Sequence, residues 1–243
     1  MNLMSTSVLR EPKKLSKTTQ TANTTEADSD TLSELAEREL RRRLLVGEYF
    51  SGQRLSLAEI AQQLGMSVTP VREAVFKLVG VHALVFKPGY YASVPTMTTA
   101  RYLEVAKIRK SLESLAARTA VPLMVEEDFE QLETLFSSFK KAKESGNVRE
   151  ALEFNYKFRF AIYERSRMPV LVQVIEDFWL QTGPLFNLLF PMLPGTQQYE
   201  RAYGALLLAL RQGKLDKIDE AVEAAIDTGS ERILPFIDGS SRR

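Results

Sequence analysis

The chain's 243 residues predict a mainly α fold in two parts: two short helices around a tight turn with a small β-hairpin, then an antiparallel α-helical bundle. Three observations carry this. Residues 56–78, SLAEIAQQLGMSVTPVREAVFKL, hold the start and stop signals of two helices. Two β-rich runs flank Pro88-Gly89, a hairpin signal. From Thr98 to Phe236 apolar residues recur at helical spacing, without strand alternation. The expected division is a disordered tail at 1–30, a first domain at 31–95 and a second at 96–243.

Residues 1–30 are rich in Ser, Thr, Lys and Asn and nearly devoid of large apolar residues after Leu15, so they cannot offset the entropy of ordering. A helix is expected from Thr31, with Leu32, Leu35, Ala36, Leu40 and Leu44 as its buried stripe and Arg38, Arg41, Arg42 and Arg43 turned outward. Ser56 and Glu59 have capping-box spacing and open the next helix. Leu57, Ile60, Ala61 and Leu64 form its inner face, and Gly65 supplies a left-handed stop. Thr69-Pro70 is expected to start the following helix, with Val71, Ala74, Val75 and Leu78 inward. Leu84–Phe86 and Tyr90–Val94 then make the hairpin. His82, the chain's one histidine, reads as a surface or packing residue.

In the second part, helices are expected at Thr98–Val121, Glu126–Ser145, Arg149–Ser166, Val170 to about Leu193 with a bend at Gly183-Pro184, Gln197–Gln212 and Leu215–Pro235. Phe129, Leu132, Phe136 and Phe139 share one face, as do Tyr203, Leu206, Leu207 and Leu210. Amphipathic helices in series predict an antiparallel bundle.

Composition narrows the function. No run of about 18 apolar residues exists to span a membrane and no secretory signal is evident, so a cytoplasmic protein is expected. Zero cysteines exclude disulfides and thiolate sites. Residues 31–95 carry eight basic and six acidic groups, the only net basic segment. Any affinity for nucleic acid must therefore rest on local arrangement. No nucleophile motif, phosphate loop or metal cluster stands out, so no enzyme is expected.

The helix-turn-helix resembles the N-terminal domain of GntR-family transcriptional regulators, whose motif reads roughly L-A-x-x-L-G-V-S-R-T-P-V-R-E-A-L-x-x-L against IAQQLGMSVTPVREAVFKL here. The resemblance runs from Leu40 to Pro95, through GEYFSGQRLS and into a short wing. It implies a winged helix-turn-helix binding a short palindrome in double-stranded DNA as a homodimer. On that reading Arg72 and Lys77 reach DNA from the second helix, while Ser67 and Thr69 lie near the DNA backbone. Lys87 in the wing and Arg41 in the first helix complete the set. A local pair with Glu73 is the alternative for Lys77. Val68 replaces the arginine of S-R-T-P and offers only apolar contact, so the operator is expected to deviate from the family's usual palindrome.

The second part resembles the ligand-sensing domain of the FadR-like branch, the FCD type. Arg109 and Glu113 keep an R-x-x-x-E spacing; FAIYERSRMPVL and ALLLALRQGKLDKIDEAVEAAI match later helices. Many such domains hold a divalent ion with one Asp or Asn and three His. The matching positions here are Asn155, Arg159, Tyr203 and Gly229, which implies no metal and no cofactor. Arg159 is instead expected to bind the carboxylate of a small organic-acid effector with Arg109, Asn155 and Tyr203. Alternatives are an Arg159 pair with Glu153 or Glu176, a solvent-facing Arg159, or a domain that only dimerises.

Overall fold

The computed structural model describes residues 31–87, 91–189 and 197–240. The expected tail and the Pro88-Gly89 turn lie outside them. Helix α1 spans Leu32–Leu45, β1 Arg54–Ser56, α2 Leu57–Leu64, α3 Val68–Gly80, β2 Val85–Lys87 and β3 Tyr91–Ser93. The bundle follows as α4 Thr99–Ala120, α5 Glu126–Glu144, α6 Val148–Glu164, α7 Pro169–Thr182, α8 Gln197–Gln212 and α9 Leu215–Ser240.

Local chemistry sets most boundaries. Thr31 and Glu34 form a reciprocal capping box at α1. At α2 the Ser56 hydroxyl accepts the Glu59 N–H at 3.3 Å, and Gly65 closes the helix at φ 65°. Helix α3 starts earlier than expected, with Ser67 as N-cap and Pro70 in its first turn, where the missing donor costs nothing. Leu32 and Leu35 are exposed, so the buried stripe begins at Ala36. The three-residue β1 was not anticipated; it pairs antiparallel with β3, which pairs with β2, in the order β1-β3-β2.

In the bundle α4 packs on α6, α7 and α9, α5 on α6 and α8, and α8 on α9. Helix α7 does not bend through Gly183 but ends at Thr182, and Gly183–Leu189 continues as a 3-10 turn. Helix α9 runs through Pro235 to Ser240; Pro235 is exposed, and water can serve the carbonyl left without its helical donor. No helix among the described residues is long and apolar enough to cross a membrane.

The two parts dock tightly. A Cβ on Gly183 would lie 2.4 Å from the Leu44 carbonyl oxygen, and the Asn187 amide donates to the Gly47 carbonyl. Arg149 pairs with Glu48 at 2.7 Å, and the Gln181 amide donates to Val81 O at 3.2 Å.

Candidate DNA interface and buried anion site

Helix α3 buries Val71, Ala74, Val75 and Leu78 against α1 and leaves Thr69, Glu73, Phe76 and Lys77 exposed. Arg72 and Val68 are half-buried beside that face. The Ser67 side chain makes no capping bond and the first turn of α3 carries no acidic residue, so its amides and partial positive charge are open to an anion. The Phe76 ring meets Phe86 of β2 at 4.9 Å, which ties the sheet to the helix. Lys87 is exposed on β2. The Arg54 guanidinium lies 3.7 Å from the Tyr91 ring centroid on the neighbouring strand.

Two basic residues of the expected set are held elsewhere. Lys77 pairs not with Glu73 but with Glu37 of α1, at 2.9 Å, on a half-exposed surface. Arg41 departs further from a DNA role. It sits between carboxylates, Glu37 at 2.9 Å, Glu176 at 3.0 Å and Asp177 at 3.4 Å, which direct it to α7 of the bundle.

The bundle residues singled out from the sequence converge. Arg109 of α4, Asn155 and Arg159 of α6 and Tyr203 of α8 line one cavity of about 40 Å3, with Gly229 of α9 at its wall. Arg159 is only 4% exposed. Its Nε and Nη1 have no hydrogen-bond partner among the described residues, and its guanidinium lies 5.2 Å from the Tyr203 ring centroid. Neither alternative pair forms: Glu153 holds Lys157, and Glu176 holds Arg41 and Tyr156. The Tyr203 hydroxyl donates to Asn155 Oδ1. Tyr203 is clamped by Phe136 and Phe139 in near-parallel stacks.

Beside Arg159 stands a fully buried carboxylate. Glu113 Oε1 accepts from Arg109 Nε at 2.7 Å and from Trp179 Nε1 at 2.8 Å, and its Oε2 accepts the Tyr163 hydroxyl at 2.5 Å. Arg109 also donates to Thr182 Oγ1 at 3.3 Å and lies 4.6 Å from the Trp179 ring centroid. Burial pushes the Glu113 carboxyl upward, but the charges of Arg109 and Arg159 and the hydroxyl of Tyr163 outweigh it and hold it below the ordinary range. Burial likewise opposes charge on Arg159, yet Tyr163, Tyr203 and Glu113 around it raise its pKa. Burial raises both Tyr163 and Tyr203, so each stays a neutral phenol. The cluster thus buries two guanidiniums against one carboxylate, a surplus positive charge in a low-dielectric interior.

That surplus decides the fit of a divalent metal. Asn155 and Tyr203 are weak donors engaged with each other, and Arg159 is both a non-ligand and a repelling charge. These residues do not fit a cation. Glu113, Tyr163, Trp179 and Thr182 complete the site and lie outside the expected set, in which Glu113 figures only through the R-x-x-x-E spacing of the resemblance. Trp179 is the chain's one tryptophan, and Tyr163 lies within FAIYERS, but their partners are 66 and 50 residues away, beyond any local pattern.

Comparison with known proteins agrees in both halves. Residues 32–90 match the family described as bacterial regulatory proteins, gntR family, and residues 104–228 match the FCD domain. The Escherichia coli HTH-type transcriptional regulator McbR is 36% identical over 177 residues, covering 72% of this chain and 80% of that protein. The solved structure of E. coli McbR/YncC superposes with a TM-score of 0.78, covering 88% of this chain and all of the other at 30% identity. A crystal structure described as a putative GntR transcriptional regulator from Rhodococcus sp. RHA1 shares the fold, with a TM-score of 0.69 at 16% identity over 84% of this chain and 97% of the other. A GntR-type helix-turn-helix carried ahead of an FCD domain, with this identity to McbR, places the chain in the GntR family of transcriptional regulators.

Proposed function

We propose that this regulator binds a short palindromic operator as a cytoplasmic homodimer and that a small carboxylate held by Arg159 changes its affinity for DNA. Residues 31–95 would carry the DNA contacts and 96–243 the effector site and dimer contacts. The observation that supports the effector is the buried Arg159 guanidinium, whose Nε and Nη1 lack hydrogen-bond partners among the described residues. A planar pair of donors suits a carboxylate, and Tyr203 and Asn155 stand beside it to complete its hydrogen bonding. On the DNA side, the open first turn of α3 receives a phosphate at Ser67 and Thr69, Arg72 reads a base edge, and Lys77 exchanges Glu37 for the DNA backbone.

A second reading, a bundle that only dimerises, is favoured by one feature. The cavity of about 40 Å3 admits a water or two and falls far short of the several hundred Å3 of most ligand pockets. An effector here must be small, or must enter as the bundle opens. Operator DNA selected from random sequence, followed by titration of small monocarboxylates at fixed ionic strength, separates the readings. Release by one acid, lost in Arg159→Met, supports the sensor; no release by any acid supports the dimerisation domain.

A further inference from the structure

The buried site and the DNA-binding part meet on one element. Helix α7 and its 3-10 extension touch the site through Trp179 and Thr182, one sharing Glu113 Oε1 with Arg109 and the other accepting from Arg109. One turn earlier on the same helix, Glu176 accepts both Arg41 Nη1 of α1 at 3.0 Å and the Tyr156 hydroxyl at 2.8 Å. Tyr156 belongs to α6, next in sequence to Asn155, and its ring meets Trp179 edge-on at 6.2 Å. Past Trp179, Gly183 lies against the Leu44 carbonyl, so α7 cannot slide without displacing the C-terminal turn of α1. Helix α1 in turn supports α3, the helix that presents the exposed DNA-facing residues.

We infer that α7 transmits the charge state of the buried site to the DNA-binding part, with Glu176 as the joint between them. This rests on the reading of that site as an anion site. An anion arriving between Arg109 and Arg159 competes with Glu113 for Arg109. The two donors on Glu113 Oε1 then rebalance, and Trp179 and Thr182 move with Arg109. Because Trp179 and Glu176 stand on one rigid helix, the shift arrives at Arg41 and Leu44. Coupling of this kind requires two arrangements that the ligand and DNA each distinguish. Glu176 is poised for that, since one carboxylate serves a donor from each domain.

A double-mutant cycle on operator affinity tests the route without a known effector. Arg159→Met removes the surplus charge as a bound anion would; Glu176→Gln removes the joint's charge and touches neither the buried site nor α3. The expected result is that Arg159→Met alone shifts operator affinity by about fivefold or more, the lower end of ordinary allosteric couplings, and by less than about twofold in the Glu176→Gln background. An equal shift in both backgrounds, or none in either, overturns the inference. A second measurement covers an Arg159→Met protein that fails to fold. With acetate as probe, wild-type protein should change both Trp179 fluorescence and amide exchange at residues 44–47, and Glu176→Gln should change only the fluorescence. Exchange at 44–47 that responds equally in Glu176→Gln overturns the route. A silent Trp179 in both proteins overturns the anion reading of the site, and the route that rests on it falls with it.

Discussion

His82 stands at a position that favours glycine. The α3 helix ends in a Schellman motif, with the His82 N–H donating to Val79 O and the Ala83 N–H to Leu78 O, both at 3.0 Å. The motif needs a left-handed residue after the cap, and His82 takes φ 60° there, whereas α2 uses Gly65 for the same role at φ 65°. His82→Gly should therefore stabilise the protein by about 1 kcal/mol, relief of Cβ strain exceeding the entropy gained by the unfolded chain. A thermal melt that falls rather than rises by a few degrees would contradict this. Arg72 is proposed as a DNA residue from its motif, and the structure leaves it half-buried beside the exposed face of α3. Arg72→Ala should cost about 1 to 3 kcal/mol of operator binding and relax selectivity at one base pair per half-site. Titration of DNA variants at one salt concentration checks both effects. Lys77 and Arg41 were less legible, because a sequence shows neighbours at i+4 but not Glu37 across a helix pair or Glu176 from 135 residues away.

At the scale of elements, helix limits were readable wherever a cap or glycine punctuates the chain, as at Thr31, Ser56 and Gly65. They slipped where tertiary contact decides. Leu32 and Leu35 fit the apolar stripe of α1 yet lie beyond its buried part, and β1 exists only because β3 pairs with it. Helix α1 also carries an acid-sensitive cluster. The hydrogen bond from Arg42 is the largest influence on Glu39, and with Arg43 it outweighs partial burial and holds the carboxyl at about 2, against an ordinary 4.5. A depressed folded-state pKa contributes stability above pH 4.5 that is lost as pH falls towards 2. After solvent screening of this part-exposed group, the contribution is about 1 kcal/mol. Urea midpoints measured from pH 5 down to 2.5 should fall less steeply in Glu39→Gln. The α7 terminus makes a sharper test. Gly183→Ala places a methyl group 2.4 Å from the Leu44 carbonyl oxygen. It should destabilise the protein by about 1 to 3 kcal/mol, the usual cost of overpacking, and raise amide exchange at residues 44–47. Wild-type exchange there would show that the two halves are not tightly docked.

Over the whole molecule, the sequence revealed the two-part order because each part has its own period and punctuation. It did not reveal the seam between them, built from Arg41, Gly183, Asn187 and Arg149, since none belongs to a local pattern. The buried site was half legible. Arg109 with Glu113, and Asn155 with Arg159, are each one helical turn apart, but the phenol and indole that donate hydrogen bonds to Glu113 arrive from elsewhere. One consequence reaches beyond the fold. The site contains no imidazole or thiol; its surroundings hold Glu113 below the ordinary carboxylate range and push Arg159, Tyr163 and Tyr203 above their ordinary ranges. Read as the proposed carboxylate receptor, the site has no group of its own that changes charge near neutrality. Its operator-release curves from pH 6 to 8.5 should superimpose once plotted against the ionised form of the acid. On the proposed function, acidification would bear on this site through the ionisation of the effector rather than of the receptor's own groups, and thiol oxidation would find no cysteine here to act on.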